Sequence, residues 1–235
     1  MNRISTLLAA AVVVLAIGGV GHANLIVNGS FETGANPPGD GFRTLTALNT
    51  DLTGWTVTAG SIDWIGGYWE ASDGDRSIDL GGLEAGTIVG QVFATTPGQW
   101  YALTFDMAAN PDNNHQPNPK KLQVTVSGTN PTIEDFLFTP TSTTKTDMGW
   151  QTKTLLFEAS DAATSLQFAD LTGGAFGAAL DNVSVVAIPE PATLAIWSLF
   201  GAGAAAVGAI RRRRPGRWSD ADRRAIHNVI DRHGV

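Results

Sequence analysis

Between Tyr101 and Val126 apolar and polar residues alternate with a period of two. Tyr101, Leu103, Phe105 and Met107 interleave with Ala102, Thr104 and Asp106, and Leu122, Val124 and Val126 interleave with polar partners. That period belongs to strands with one face in a core. Val89 to Ala94 reads as a preceding strand, and Thr96-Pro97-Gly98-Gln99 as the turn between them. The proline fixes one φ and the glycine supplies a positive φ at the third position. The stretches "WQTKTLLFEA", "TSLQFAD" and "AALDNVSVV" add three more strands. Gly and Pro punctuate the chain throughout, no long helical period precedes Pro191, and no fixed-period repeat is evident. Residues 24–187 are therefore predicted to form an all-β sandwich. "NPDNNHQPNPKK", Asn110 to Lys121, reads as a polar loop that cannot pack a core.

The pattern changes at both ends. Arg3, an apolar run from Leu7 to Val20 and small residues at Gly21 and Ala23 predict a secretory signal peptide over 1–23. Ala192 to Ile210 carries no charge and, as a helix, is long enough to span a hydrocarbon layer of roughly 30 Å. Arg211, Arg212, Arg213 and Arg214 follow it and would stop translocation on the cytoplasmic side of the inner membrane. Much of the run is Ala and Gly, so the predicted transmembrane helix is weakly apolar. Residues 215–235 read as a short cytoplasmic tail, with Ser219 able to cap a helix.

Charge divides the chain in the same way. Residues 24–187 hold 18 acidic and 6 basic side chains, a net of −12, whereas residues 191–235 hold 8 basic and 3 acidic, a net of +5. An acidic exported body repels nucleic acid and suits neutral sugars, divalent cations or cationic partners. There is no cysteine, so no disulfide holds the body. A domain of this length can bury about 70% of its unfolded surface and needs none.

Pro189-Glu190-Pro191, the apolar run and the arginine cluster, in that order over residues 188–214, closely resemble a PEP-CTERM sorting signal. The resemblance implies export in a Gram-negative bacterium, recognition by an exosortase (a membrane cysteine transpeptidase) and removal of the helix. The tail beyond Arg214 departs from that pattern, which leaves a permanently anchored single-pass protein as the alternative. Two prolines forbid regular structure around Glu190 and would keep it extended and accessible. "NLIVNGSFETG" at the start of the body and "ALDNVSVV" at its end resemble galactose-binding-like jelly rolls. Between them "GWTVTAGSIDWIG", "GDRSIDLGG" and "GTIVGQVFATTPGQWYALTFDMAAN" resemble the choice-of-anchor C family, related to domain-of-unknown-function family 642. The implied fold is a jelly-roll sandwich of carbohydrate-binding type. Related sugar-binding jelly rolls carry a structural calcium between their first and last strands. Carried over, the Ca2+ ligands are Glu32 and Asp181, with Asp79 as a weaker third.

Residues 63–76, "DWIGGYWEASDGDR", place Trp64, Tyr68 and Trp69 beside Asp75 and Arg76. Sugar sites need flat aromatic faces and fixed polar groups, so these five are the candidate glycan contacts. The other reading puts one or two of the rings in the core. Trp55, Trp100 and Trp150 read as core. His115 is the lone histidine of the body, and no nucleophile elbow, zinc helix or phosphate loop accompanies it. The expected function is non-catalytic polysaccharide binding at the cell surface or in extracellular matrix, with the cell's own exopolysaccharide as a natural ligand. A glycoside hydrolase or lyase on the same sandwich is the rival.

Overall fold

The computed structural model describes residues 23–112, 116–141 and 143–188. The predicted signal peptide up to residue 22, His115, Pro189-Glu190-Pro191, the predicted transmembrane helix, the arginine run and the tail lie outside them. Among the described residues no helix is long and apolar enough to cross a membrane.

The described residues form thirteen strands. These are β1 (Phe42–Thr46), β2 (Trp55–Ala59), β3 (Ser61–Ile65), β4 (Ser77–Asp79), β5 (Thr87–Gly90), β6 (Phe93–Ala94) and β7 (Trp100–Ala109), then β8 (Lys120–Val126), β9 (Thr132–Phe138), β10 (Gln151–Glu158), β11 (Ala163–Thr164), β12 (Leu166–Asp170) and β13 (Ala178–Ala187). One sheet has the order β1-β3-β4-β13-β7-β10, the other β2-β5-β12-β8-β9, and β6 pairs with β11 in a small ribbon. All pairings are antiparallel, and the two large sheets make a jelly-roll sandwich.

Alternation explains the core. Tyr101, Leu103, Phe105 and Met107 of β7 and Leu122, Val124 and Val126 of β8 are all buried. Phe105 meets Phe168 of β12 edge to face at 5.4 Å and Phe136 of β9 at 5.0 Å, so one ring joins the two layers. Gly98 has the anticipated positive φ of 82° in the turn before β7, where the N–H of Gln99 donates to the Thr96 carbonyl.

The structure departs from the sequence pattern in four places. Val89–Ala94 is two strands rather than one, because β5 and β6 join different sheets. "TSLQFAD" is likewise divided between β11 and β12. Lys120, placed in a loop by its composition, starts β8 fully buried and donates to the Phe176 carbonyl at 2.6 Å. Trp100 is 46% exposed, whereas Trp55 is buried as expected.

The chain ends of the sandwich meet on β13. The side chain of Asn24 accepts the Val185 N–H and donates to the Val183 carbonyl, and the Leu25 N–H donates to the Val185 carbonyl. β13 has a bulge between Asp181 and Ser184, with Asn182 at φ 50°.

Candidate functional site

The outer face of the larger sheet carries a cavity of about 190 Å³. Thr44 and Phe42 of β1 and Asp63 and Ile65 of β3 form its floor. Its walls are loops: Tyr68 and Trp69 after β3, Gly82 and Leu83 after β4, Asn110 and Asp112 after β7, and Ala175 and Phe176 before β13. Phe42 and Tyr68 stand edge to face, 5.1 Å apart, and Phe42 and Leu83 are exposed. The Tyr68 hydroxyl donates to Asp112 at 2.5 Å. Lys145 pairs with the other Asp112 oxygen at 3.2 Å, its ammonium 3.5 Å from the centre of the Tyr68 ring.

Asp63 lies beneath this rim, 9% exposed. Its Oδ1 accepts the Thr44 hydroxyl at 2.6 Å, and among the described residues no donor reaches Oδ2. Burial pushes its pKa up, partly offset by the Thr44 bond.

Buried carboxylates hold the walls in place. Asp79 Oδ1 accepts the N–H groups of Gly81 and Gly177, and its Oδ2 accepts the Asn110 amide at 2.5 Å. Three wall-forming loops therefore converge on one side chain. Two of them touch so closely that a Cβ on Gly177 would lie 2.4 Å from the Gly81 nitrogen. The fourth loop, after β3, is held from both flanks. Asp181 Oδ2 accepts the N–H groups of Ser72 and Asp73, while Glu32 Oε1 accepts those of Asp75 and Arg76 and its Oε2 accepts the Arg76 guanidinium. Burial pushes Asp79 up to about 8 and Asp181 up to about 7, against the hydrogen bonds they accept.

Of the predicted glycan contacts, Tyr68 alone presents its ring at the rim. Trp64 is 0% exposed and donates to the Phe31 carbonyl, so it is core. Trp69 is 4% exposed, donates to Ser77 Oγ and backs the cavity wall. Asp75 is exposed and Arg76 faces Glu32; neither lines the cavity. Sequence reasoning did not select Phe42, Asp63, Leu83, Asn110, Asp112 or Phe176. Asp63 was within the stretch singled out, but only the pairing of β1 with β3 sets it beside Thr44.

Glu32 and Asp181 do converge, though on a loop and through N–H donors. All three carboxylates expected to bind calcium accept backbone N–H groups, and a guanidinium already sits on Glu32. Calcium requires six to eight oxygen ligands, and this donor set does not fit it. Among the described residues no group of three or more His, Asp or Glu side chains is arranged to hold a metal ion.

Fold and cavity together define an all-β jelly-roll module with a small preformed recess on one outer face. The chain belongs to the family described as "Protein of unknown function (DUF642)", which matches residues 24–186. Residues 187–214 match the PEP-CTERM protein-sorting motif. The chain is 36% identical over 172 residues to Halomucin of Haloquadratum walsbyi, a match that covers 72% of this chain and spans 2% of the length of that curated relative. Among solved structures, it is similar to a CBM61 in complex with β-1,4-galactotriose (TM-score 0.43, 15% identity, 71% of this chain and 99% of that one). It is also similar to a CBM35 from Paenibacillus barcinonensis (0.42, 19%, 62% and 99%). An arabinose-bound GH51 α-L-arabinofuranosidase is a third (0.48, 11%, 71% and 26%).

Proposed function

We propose that this protein is an exported, surface-sorted polysaccharide-binding module without catalytic activity. The cavity over Asp63 carries this reading. It joins an exposed aromatic rim, suited to the apolar face of a pyranose, to fixed carboxylate and amide groups suited to its hydroxyls. The hydrogen bonds through Asp79, Asp181 and Glu32 hold that geometry in advance, which lowers the entropic cost of binding. The sorting motif over 187–214 supports delivery to the surface, with an exosortase as processing partner.

A glycan array probed with the secreted protein tests the reading. Binding to at least one polysaccharide class, weakened about tenfold by Tyr68→Ala, is expected. No binding on any array would overturn it. Because Asp63 and Asp112 share the cavity, the rival is a glycoside hydrolase or lyase. Release of shorter products from the bound glycan would favour the rival. Mass spectrometry of the surface protein tests sorting: everything after Pro191 is expected to be missing, and an intact Val235 would refute processing.

A further inference from the structure

The chemistry of the cavity narrows the ligand further, and the inference rests on the polysaccharide reading above. Its polar floor is a carboxylate, nine-tenths buried, with one oxygen bonded to Thr44 and the other without a donor among the described residues. The cations nearby are already engaged. Lys145 is held by Asp112 and the Tyr68 face, Lys120 by the Phe176 carbonyl behind the wall, and Arg43 by Asp51 and two backbone carbonyls. Asp79 lies directly beside Asp63 across the β3–β4 ladder, but burial holds its proton up to about 8, so near neutral pH Asp63 carries the charge of the floor.

A largely buried carboxylate under an apolar rim gains most from a charged donor. A hydrogen bond between ions is roughly twice as strong as one between neutral groups, and low dielectric strengthens it. The Tyr68 face is already taken by Lys145, and the exposed Phe42 ring beside it is the one that can add cation–π attraction. At about 190 Å³ the cavity is smaller than the sites of drug-sized ligands, roughly 300–1,000 Å³, and suits a single sugar ring. The net charge of −12 on residues 24–187 steers a polycation toward it. We propose that the cavity takes a hexosamine with a free, protonated amine, so that the polymer recognised is a polysaccharide bearing de-N-acetylated amino sugars.

The test is titration calorimetry of the secreted protein with a β-1,4-glucosamine tetramer and its fully N-acetylated counterpart. The free-amine tetramer is expected to bind at least tenfold more tightly. Asp63→Asn should remove that preference, since it deletes the charge and keeps an acceptor for Thr44. Leu83→Lys, at an exposed rim position, should do the same by offering Asp63 a competing ammonium, and this keeps the test open if Asp63→Asn does not fold. Glu134→Gln, on the opposite sheet, should leave the preference within twofold. Equal binding of both tetramers, or an equal loss in Glu134→Gln, overturns the amino-sugar inference. If other glycans still bind in a Tyr68-dependent way, or both tetramers bind equally, the polysaccharide reading survives. If no glycan of any class binds, that reading falls as well.

Discussion

The two outer faces of the sandwich follow different rules. On the smaller sheet Thr56, Val89, Gln167, Thr125 and Ile133 lie in one row across five strands, all half-buried or exposed. The first four alternate with core residues, β8 along its whole length, whereas Ile133 on the edge strand β9 has no buried neighbour in sequence. On the larger sheet loops cover the corresponding face over β3 and β4, and all the residues of those two strands are buried. Polar residues there, including Ser77, Asp79, Asp106 and Asp181, are buried and find partners within the protein, whereas Asp63 keeps one oxygen open to the recess. Asp106, for example, accepts from Ser72, Thr152 and Asn182. The face that is costly to build is the one that holds a recess.

The largest expected effect is on packing beneath the covered face. Trp64→Ala removes a fully buried ring and its bond to Phe31, and is expected to cost about 3–5 kcal/mol in urea unfolding. A loss below 1 kcal/mol would place the ring in a loop after all.

Next is pH. The folded state holds the protons of Asp79 and Asp181 up to about 8 and about 7, while the unfolded state releases them near 3.8. The folded state therefore binds more protons between those limits, and stability falls as pH rises from about 4 to 8, on the order of a few kcal/mol. Urea midpoints at pH 5 and 8.5 check this. Asp79→Asn should flatten the slope. Asp135→Asn on the bare face should not, because hydrogen bonds from Lys121 and Gln123 hold its pKa low and it is ionised throughout that range. A flat wild-type profile would contradict the burial argument.

Glu32→Ala is expected to cost about 1–3 kcal/mol and to speed proteolysis within residues 70–76, since the loop loses three of its bonds. Gln167→Ala, in the middle of the bare face, should stay within about 0.5 kcal/mol and leave glycan binding unchanged. Loss of glycan binding in that variant would move the site to the other sheet. The smallest effect expected is that of calcium: melting temperatures with the ion and with a chelator should coincide, and a clear rise with calcium would show that Glu32 and Asp181 open to hold it.

The same contrast governs what the sequence reveals. Strands with one wet face announce themselves, as the alternation in β7 and β8 did. Parity also accounts for Trp100: it is in phase with Ala102, Thr104 and Asp106, the outward set, and so is exposed. On the covered face parity has nothing to report, because Asp63 and Trp64 are buried alike on opposite sides of one strand. Family resemblance brought Glu32 and Asp181 to one place but left open whether their neighbours would be oxygens or N–H groups, which depends on the path of residues 72–76. The cavity draws on four loops and two strands, and its geometry depends on register rather than on any local motif.

The order of synthesis has a consequence of its own. β13 is made last, yet it sits between β4 and β7 in the larger sheet and also anchors Asn24, 161 positions away from Val185. Until β13 arrives, the β1-β3-β4 and β7-β10 ribbons share no ladder. A chain still emerging from a ribosome or threading a narrow pore cannot lock, and such distant pairings form slowly even afterwards. The larger sheet therefore closes only once β13 has been made, and that closing strand is followed directly by the sorting motif.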